Sequence, residues 1–348
     1  MRVALVAPFV AAIDDRRPQI GGAQAVIADL ARGLAGRGHA VTLIAPRGSW
    51  IGGVTLVDLG IDPDPRAALR PDAASGAASQ VAAFAAVGAW LDEHGASFDV
   101  VHGHAFDAPA FARLRGDRVV HTLHLPPIDP VTVAAARGAR ARLATVSRAC
   151  AAAWRAAGVP VAEVVPNGVD LSAIRAGDGA GGYLAFAGRM SPEKGPAAAC
   201  RIARAAGLPL RLAGPIYDVP YFEREVRPLL GEGIEHVGPL DRRALWRMLG
   251  GARATVLPIR WDEPFGMVAL ESLACGTPVV AYRRGGLTEV VVDGHSGRLV
   301  APDDEVALGA ALADARAMDR SGSRADASRF DLPGMLDAHE ALYRRVAA

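Results

Sequence analysis

Cysteine is scarce in this chain: three among 348 residues, at positions 150, 200 and 275, far apart and set in alanine-rich stretches. That excludes an even disulfide framework and the close ligand pairs of a zinc site, and it is the usage expected in a reducing cytoplasm. A dominant charge is lacking too. With 38 Lys and Arg against 37 Asp and Glu, the net charge is +1, so no global field draws the protein onto a polyanion, and nucleic acid is disfavoured as its main partner. Apolar runs long enough to cross a bilayer, roughly 18 residues, do not occur. The longest, 3–13 and 81–91, are broken by Pro8 and Gly88, so no integral membrane segment is expected, while peripheral membrane contact is left open. Arg2 followed by the first run imitates a secretion signal, but the run reads better as a buried first strand.

What is present is a hydrophobic fraction of 51% spread over a length that exceeds one core, so two domains are expected. Residues 3–6 and 41–45 are short continuous apolar runs ending at Pro8 and Pro46, which suits strands buried on both faces. Between them Val26, Ile27, Leu30 and Leu34 recur at helical spacing until Gly36 and Gly38 stop the pattern. The alternation returns at 99–101, 118–121 and 144–146, then again at 183–187, 210–213, 234–237, 254–258 and 279–282. A parallel sheet in each half follows. Gly177, Gly179 and Gly182 form a literal G-x-G-x-x-G, but it precedes a strand where a dinucleotide fingerprint follows one. It reads as linker. The expected organisation is therefore an α/β chain with a first domain over 1–172, a linker over 173–182, a second domain over 183–329 and a closing helical segment over 330–348. Two doubly wound, Rossmann-like domains of this kind face each other across a cleft at the carboxyl ends of their strands.

Three segments carry candidate chemistry. In Trp261-Asp-Glu263-Pro-Phe265-Gly266-Met267 through Glu271, Pro264 and Gly266 favour a loop opening a helix, and Gly276 with Pro278 ends it. Glu263 then precedes the helix and Glu271 lies about a turn inside. Two carboxylates bracketing exposed backbone N–H groups suit a ligand rich in hydroxyls and anionic oxygens. On spacing alone a solvated Glu263 and a Glu271 that merely complements the helix dipole are the readier explanation. In Gly188-Arg189-Met-Ser-Pro-Glu193-Lys194-Gly195, a strand runs through Gly and Ser-Pro toward a helix, with two cations suited to a diphosphate. Alternatively, Arg189 pairs with an acid and Lys194 is solvated. After the first strand, Gly21 and Gly22 let backbone approach a ligand, or simply make a turn.

His102, His104, His121 and His124 fall at the ends of two adjacent-looking strands. No carboxylate or cysteine joins them at ligand spacing, so they line a cleft more readily than they hold a metal. Asp62-Pro-Asp64 has the form of a D-x-D metal motif, but its proline-rich surroundings read as a turn.

Taken in order, these segments resemble glycosyltransferase family 4, whose members are retaining nucleotide-sugar enzymes of GT-B architecture. The resemblance rests on Gly21-Gly22-Ala, His102-Gly-His104, Thr122-Leu-His124, Val146-Ser147, Val165-Pro-Asn167-Gly-Val-Asp170, Gly188-Arg189 with Glu193-Lys194-Gly195, Val237-Gly238-Pro239-Leu, and Glu263-Pro-Phe-Gly266 to Glu271. It implies that Glu271 holds the donor ribose, that Glu263 and the backbone of Phe265, Gly266 and Met267 meet the sugar, and that Arg189 and Lys194 grip the diphosphate. Gly21 and Gly22 would approach that diphosphate from the other domain, backbone near Val237 would meet a uracil or guanine base, and His124 would face the sugar. The helix after Phe330 would cross back onto the first domain. The implied partners are a UDP- or GDP-sugar donor and a small-molecule or glycan acceptor, with no cofactor and no metal. Retention would follow from front-face attack, the departing phosphate oxygen taking the acceptor's proton. An epimerase of the same architecture and a non-catalytic nucleotide-sugar binder remain as alternatives.

Overall fold

Val3, Ala4, Leu5 and Val6 are completely buried, as a strand covered on both faces requires, and they form the centre of the first sheet. The computed structural model describes residues 1–14, 16, 21–65 and 74–348. Contacts divide the chain into two units, residues 1–168 with 332–348, and residues 169–331. Among the described residues the first unit contains β1 (Arg2–Val6), β2 (Ala40–Ala45), β3 (Thr55–Asp58), β4 (Val100–Gly103), β5 (Val119–Leu123), β6 (Arg142–Thr145) and β7 (Glu163–Val164). They pair in the order β3-β2-β1-β4-β5-β6-β7, parallel throughout.

The second unit repeats the plan with β8 (Leu184–Ala187), β9 (Leu210–Ala213), β10 (Ile234–Gly238), β11 (Ala254–Leu257), β12 (Val279–Tyr282) and β13 (Gly297–Val300), ordered β10-β9-β8-β11-β12-β13. All of its pairs are parallel as well. In both sheets the strand order reverses next to the first strand, between β1 and β4 and between β8 and β11. Loops leaving a parallel sheet on either side of such a reversal diverge and open a crevice at the strand carboxyl ends. Both units are thus Rossmann-like and doubly wound.

Two boundaries differ from the sequence expectation. The first unit's opening segment ends at Gly168 and the chain returns to that unit at Leu332, against the expected 172 and 330. Residues 173–182 are no free linker. They belong to the second unit, where the N–H groups of Gly177, Gly179 and Gly181 donate to the carbonyls of Cys275, Gly250 and Gly251 at 2.9, 3.1 and 2.9 Å. Glycine serves here for close backbone approach: a Cβ on Gly177 would sit 2.2 Å from the Gly250 oxygen.

The closing helix, Leu332–Ala347, packs within the first unit. Leu336 occupies the space above Gly33, where a Cβ would fall 2.7 Å from its Cδ1. Arg37 Nη1 reaches Asp337 at 2.6 Å and Glu340 at 3.2 Å. Tyr343, fully buried, meets His102 of β4. Among the described residues no helix is long and apolar enough to cross a membrane.

Candidate functional site

In the second unit the two strands flanking the reversal deliver the two charged segments. β8 runs into Gly188 and Arg189, then through a 3₁₀ turn, Pro192–Lys194, into the helix Pro196–Ala205. β11 runs into residues 258–266 and then the helix Met267–Ala274. The loops are tied together, since Arg260 N–H donates to the Glu193 carbonyl at 2.8 Å. Lys194 Nζ then lies 2.6 Å from Glu263 Oε2, an oxygen that also accepts from Trp261 Nε1 at 2.6 Å. The ammonium sits over the Trp261 ring, 4.8 Å from its centroid.

Neither member of that pair is a solvated surface charge, because their side chains are only 16% and 12% exposed. Arg189 likewise pairs with an acid, Glu193, at 2.9 Å, and its guanidinium lies 4.5 Å from the centre of the Tyr217 ring. Sequence spacing separated a cationic pair from an acidic pair; the fold instead interleaves them. Each cation is held in place by its own carboxylate, so the site presents positioned positive charges rather than mobile ones.

Glu271 is buried on the helix Met267–Ala274. Its Oε1 accepts from Trp246 Nε1 at 3.1 Å and lies 3.7 Å from Arg242 Nε. Arg242 and Trp246 project from one face of the helix Arg242–Gly251, and the sequence reading assigned neither. An i,i+4 Arg-Trp pair was visible in the chain, but nothing in it placed that pair beside a carboxylate 25 residues away. A role for Glu271 as a mere complement to the helix dipole does not account for this buried, doubly partnered position.

The helix Met267–Ala274 starts from Gly266 in a left-handed conformation, φ 99°, with no side-chain cap at its N-terminus among the described residues. Its first N–H groups and the helix dipole suit an anionic or hydroxyl oxygen. Behind this loop lie Gly285 and Gly286, also unassigned from sequence although the Gly-Gly doublet was legible. Gly286 N–H donates to the Glu263 carbonyl at 2.7 Å, and a Cβ on Gly285, φ 52°, would fall 2.2 Å from that same oxygen. Only glycine lets this backing segment come so close. Val237 falls where the β10–β9 register shifts, between His236 and Gly238. It is the extra residue of a bulge, where backbone leaves the ladder.

In the first unit Gly21 is the N-cap of the helix Gly22–Gly36, again with no side-chain cap; Ile20, next to it, lies outside the described residues. His102 and Thr122 sit on neighbouring strands and His104 and His124 just past their carboxyl ends, all four on one face of the sheet. His104 Nδ1 and His124 Nε2 are 3.0 Å apart, while His102 bonds Thr122 Oγ1 at 2.7 Å and Tyr343 Oη at 2.6 Å. His121 points the other way and bonds the Leu114 carbonyl. Burial holds the imidazoles neutral: it pushes His124 down to about 3, His121 to about 4 although the Leu114 bond opposes this, and His102 and His104 well below the ordinary value. Among the described residues no three His, Cys, Asp or Glu side chains are grouped to hold a metal ion. Asp62 is exposed and pairs with Arg47 at 3.1 Å, whereas Asp64 is buried and accepts from Ser79 at 2.8 Å.

Comparison with known proteins covers both units. Residues 20–173 match the family model described as Glycosyltransferase Family 4, and residues 176–328 match that described as Glycosyl transferases group 1. A D-inositol 3-phosphate glycosyltransferase of Acidothermus cellulolyticus is 32% identical over 216 residues, 53% of this chain and 48% of that protein. The chain spans about half the length of the curated relatives it matches. Among solved structures, sucrose-phosphate synthase from Thermosynechococcus elongatus superposes with a TM-score of 0.79 at 21% identity, covering 99% of this chain and 98% of that one. Anabaena Alr3699/HepE in complex with UDP-glucose gives 0.72 at 19%, covering 98% and 99%.

Proposed function

Since the chain belongs to glycosyltransferase family 4, we propose that it transfers a glycosyl group from a UDP- or GDP-sugar to a hydroxyl-bearing small molecule or glycan. Transfer proceeds with retention of anomeric configuration and without a metal. The observation that carries this reading is the convergence of Arg189, Lys194 and Glu263 at the reversal point of the second sheet, with Glu271 on the helix that opens there. The UDP-glucose complex of HepE supports a uridine nucleotide as the first donor to test.

Breaking the anomeric bond leaves negative charge on the diphosphate and oxocarbenium character on the sugar, so the leaving group is what the protein must stabilise. Arg189 and Lys194 take this role, helped by the uncapped N–H groups at Gly266 and Met267. Glu271 binds the ribose diol with Trp246 and Arg242 fixing its carboxylate, and backbone at the Val237 bulge meets the base. Glu263 and the backbone of Phe265 contact the sugar hydroxyls. In the first unit, Gly21 and Gly22 present N–H groups to an anionic oxygen and His124 addresses the donor sugar. The acceptor hydroxyl attacks on the face the diphosphate leaves, passing its proton to the departing phosphate oxygen. The three free cysteines, all buried, support a cytoplasmic setting.

The test combines a panel of nucleoside-diphosphate sugars with inositol phosphates, hexose phosphates and oligosaccharides, reading product by NMR. An axial–axial or equatorial–equatorial match between donor and product supports retention, and inversion overturns it. Turnover that survives EDTA supports metal independence; loss restored by Mg²⁺ overturns it. Free epimerised sugar formed without acceptor points to an epimerase, and donor binding without turnover across the panel to a non-catalytic binder.

A further inference from the structure

His104 and His124 come from the loops that follow adjacent strands, and their rings share one hydrogen bond, Nδ1 of His104 to Nε2 of His124 at 3.0 Å. Burial keeps both imidazoles neutral, so each ring carries one proton and one of the two must donate to the other. The remaining nitrogens differ in their surroundings. Among the described residues His104 Nε2 is sealed from solvent with no hydrogen-bond partner. His124 Nδ1 has no partner among the described residues either, but it is not one of the sealed nitrogens.

Two proton arrangements satisfy the shared bond. If His124 donated from Nε2, the proton of His104 would have to sit on Nε2, leaving a buried N–H with no acceptor. If His104 donates from Nδ1, its bare Nε2 is only a lone pair, and the proton of His124 moves to Nδ1, where solvent or a ligand can accept it. Orphaned buried N–H groups are the rarer of the two defects. The His104 ring is kept in place by His102, whose centroid is 3.9 Å away and whose own two nitrogens are occupied by Thr122 and Tyr343. His102 therefore cannot supply the missing acceptor.

We propose that His104 is a positioning residue that locks His124 in the tautomer protonated at Nδ1, so that the nitrogen facing away from His104 donates a hydrogen bond and cannot act as a base. This deepens the proposed function, resting on the assignment of His124 to the donor sugar: the group recognised is a hydroxyl or ring oxygen able to accept. It also leaves the acceptor's proton to the phosphate, since His124 Nδ1 is already protonated.

The experiment is a long-range ¹H–¹⁵N imidazole correlation on the full chain labelled with ¹⁵N-histidine, with His124→Gln assigning the signals. The parent is expected to show His124 protonated at Nδ1 with an unprotonated Nε2. His104→Phe, which keeps a ring but removes the donor, is expected to shift His124 toward the Nε2-protonated form, and His104→Asn, whose amide can donate from nearly the same place, to restore the parent pattern. With UDP-sugar donor, His104→Phe should lower kcat by about tenfold to a hundredfold with KM changed much less, and His104→Asn should recover most of it. A parent spectrum with His124 protonated at Nε2, or a tautomer indifferent to His104→Phe, overturns the proposal even where transfer is fast. The expected tautomers with no transfer from any donor would instead remove the glycosyltransferase reading and leave this inference standing. Should His104→Phe fail to fold, the parent spectrum alone decides.

Discussion

Lys194 Nζ and Glu263 Oε2, brought from loops 69 residues apart in sequence, meet at 2.6 Å, and the same oxygen accepts from the indole N–H of Trp261. Largely buried pairs of this kind are expensive to break singly, because the survivor keeps its charge without its partner. Lys194→Met and Glu263→Gln should therefore be non-additive. A chemical-denaturation cycle is expected to give a coupling of about 0.5–3 kcal/mol, and additive effects would show that the two charges act independently. For turnover, Lys194→Met and Arg189→Ala should each cost on the order of 10²–10³ while leaving the far-ultraviolet dichroism unchanged. Activity within a few-fold of the parent would remove the diphosphate assignment.

Glu271 is buried, accepts from Trp246 Nε1 at 3.1 Å and lies 3.7 Å from Arg242 Nε. Charge-assisted hydrogen bonds contribute about 1.5–3 kcal/mol each. Glu271→Ala should weaken UDP or GDP binding in isothermal titration by that amount for a single lost bond and by more for a bidentate ribose contact. Trp246→Phe, which releases the carboxylate without removing it, should have a smaller effect in the same direction. Unchanged nucleotide affinity in Glu271→Ala would detach this residue from the ribose.

Gly285 combines a positive φ with an approach to the Glu263 carbonyl that admits no Cβ. Gly285→Ala should cost about 1–3 kcal/mol of stability through backbone strain and, by displacing Glu263, weaken donor binding as well. Gly294→Ala is the control. Its φ is 83°, yet its hypothetical Cβ meets nothing nearer than Arg298 Nη1 at 3.8 Å, so it should lose some stability and no donor affinity. Equal loss of binding in both variants would mean that the effect is global.

The strands found from sequence include every one whose burial is complete or nearly so, together with the partly exposed β2, β6, β9 and β10. β1, β4, β5, β8, β11 and β12 are buried along all or nearly all of their length, and a continuous apolar run is what such strands require. β3, β7 and β13 lie at sheet edges and are half-exposed, and no long apolar run marks them, whereas β10, also at an edge, was found from sequence. The glycines at 177–182 were legible as a break but not as a backbone seam, since close approach depends on Gly250 and Gly251 far along the chain. The site shows the same division. From sequence His102, His104, His121 and His124 were placed at the ends of two adjacent strands; that His104 bonds His124 follows from the pairing of His102 with Val120, which no local pattern contains. Lys194 and Glu263 were both identified, and their mutual bond was not, because it arises from which strands flank the reversal.

The buried imidazoles also set the acid stability of the first unit. Burial lowers His124 from 6.5 to about 3, and His121 and His339 from 6.5 to about 4, against opposing backbone bonds at Leu114 and Met335. Below pH 6.5 the unfolded chain takes up protons at these rings while the folded chain does not, so stability falls as pH drops from about 6.5 toward about 4. Each ring contributes up to about 1.4 kcal/mol per pH unit within that window. Asp107 works in the opposite direction. Burial, with the neighbouring charge of Asp129 adding to it, raises its carboxyl from 3.8 to about 7, so the folded state holds a proton there that the unfolded state has released. The histidines outnumber it, and the melting temperature should fall steadily from pH 7 to pH 5. His339→Leu, which removes one ring from the helix Leu332–Ala347, should make that fall shallower, and Asp107→Asn, which removes that opposing group, should make it steeper. Calorimetric scans of the three proteins across that pH range provide the measurement. Parallel profiles for parent and both variants would show that these groups titrate alike in the folded and unfolded chain.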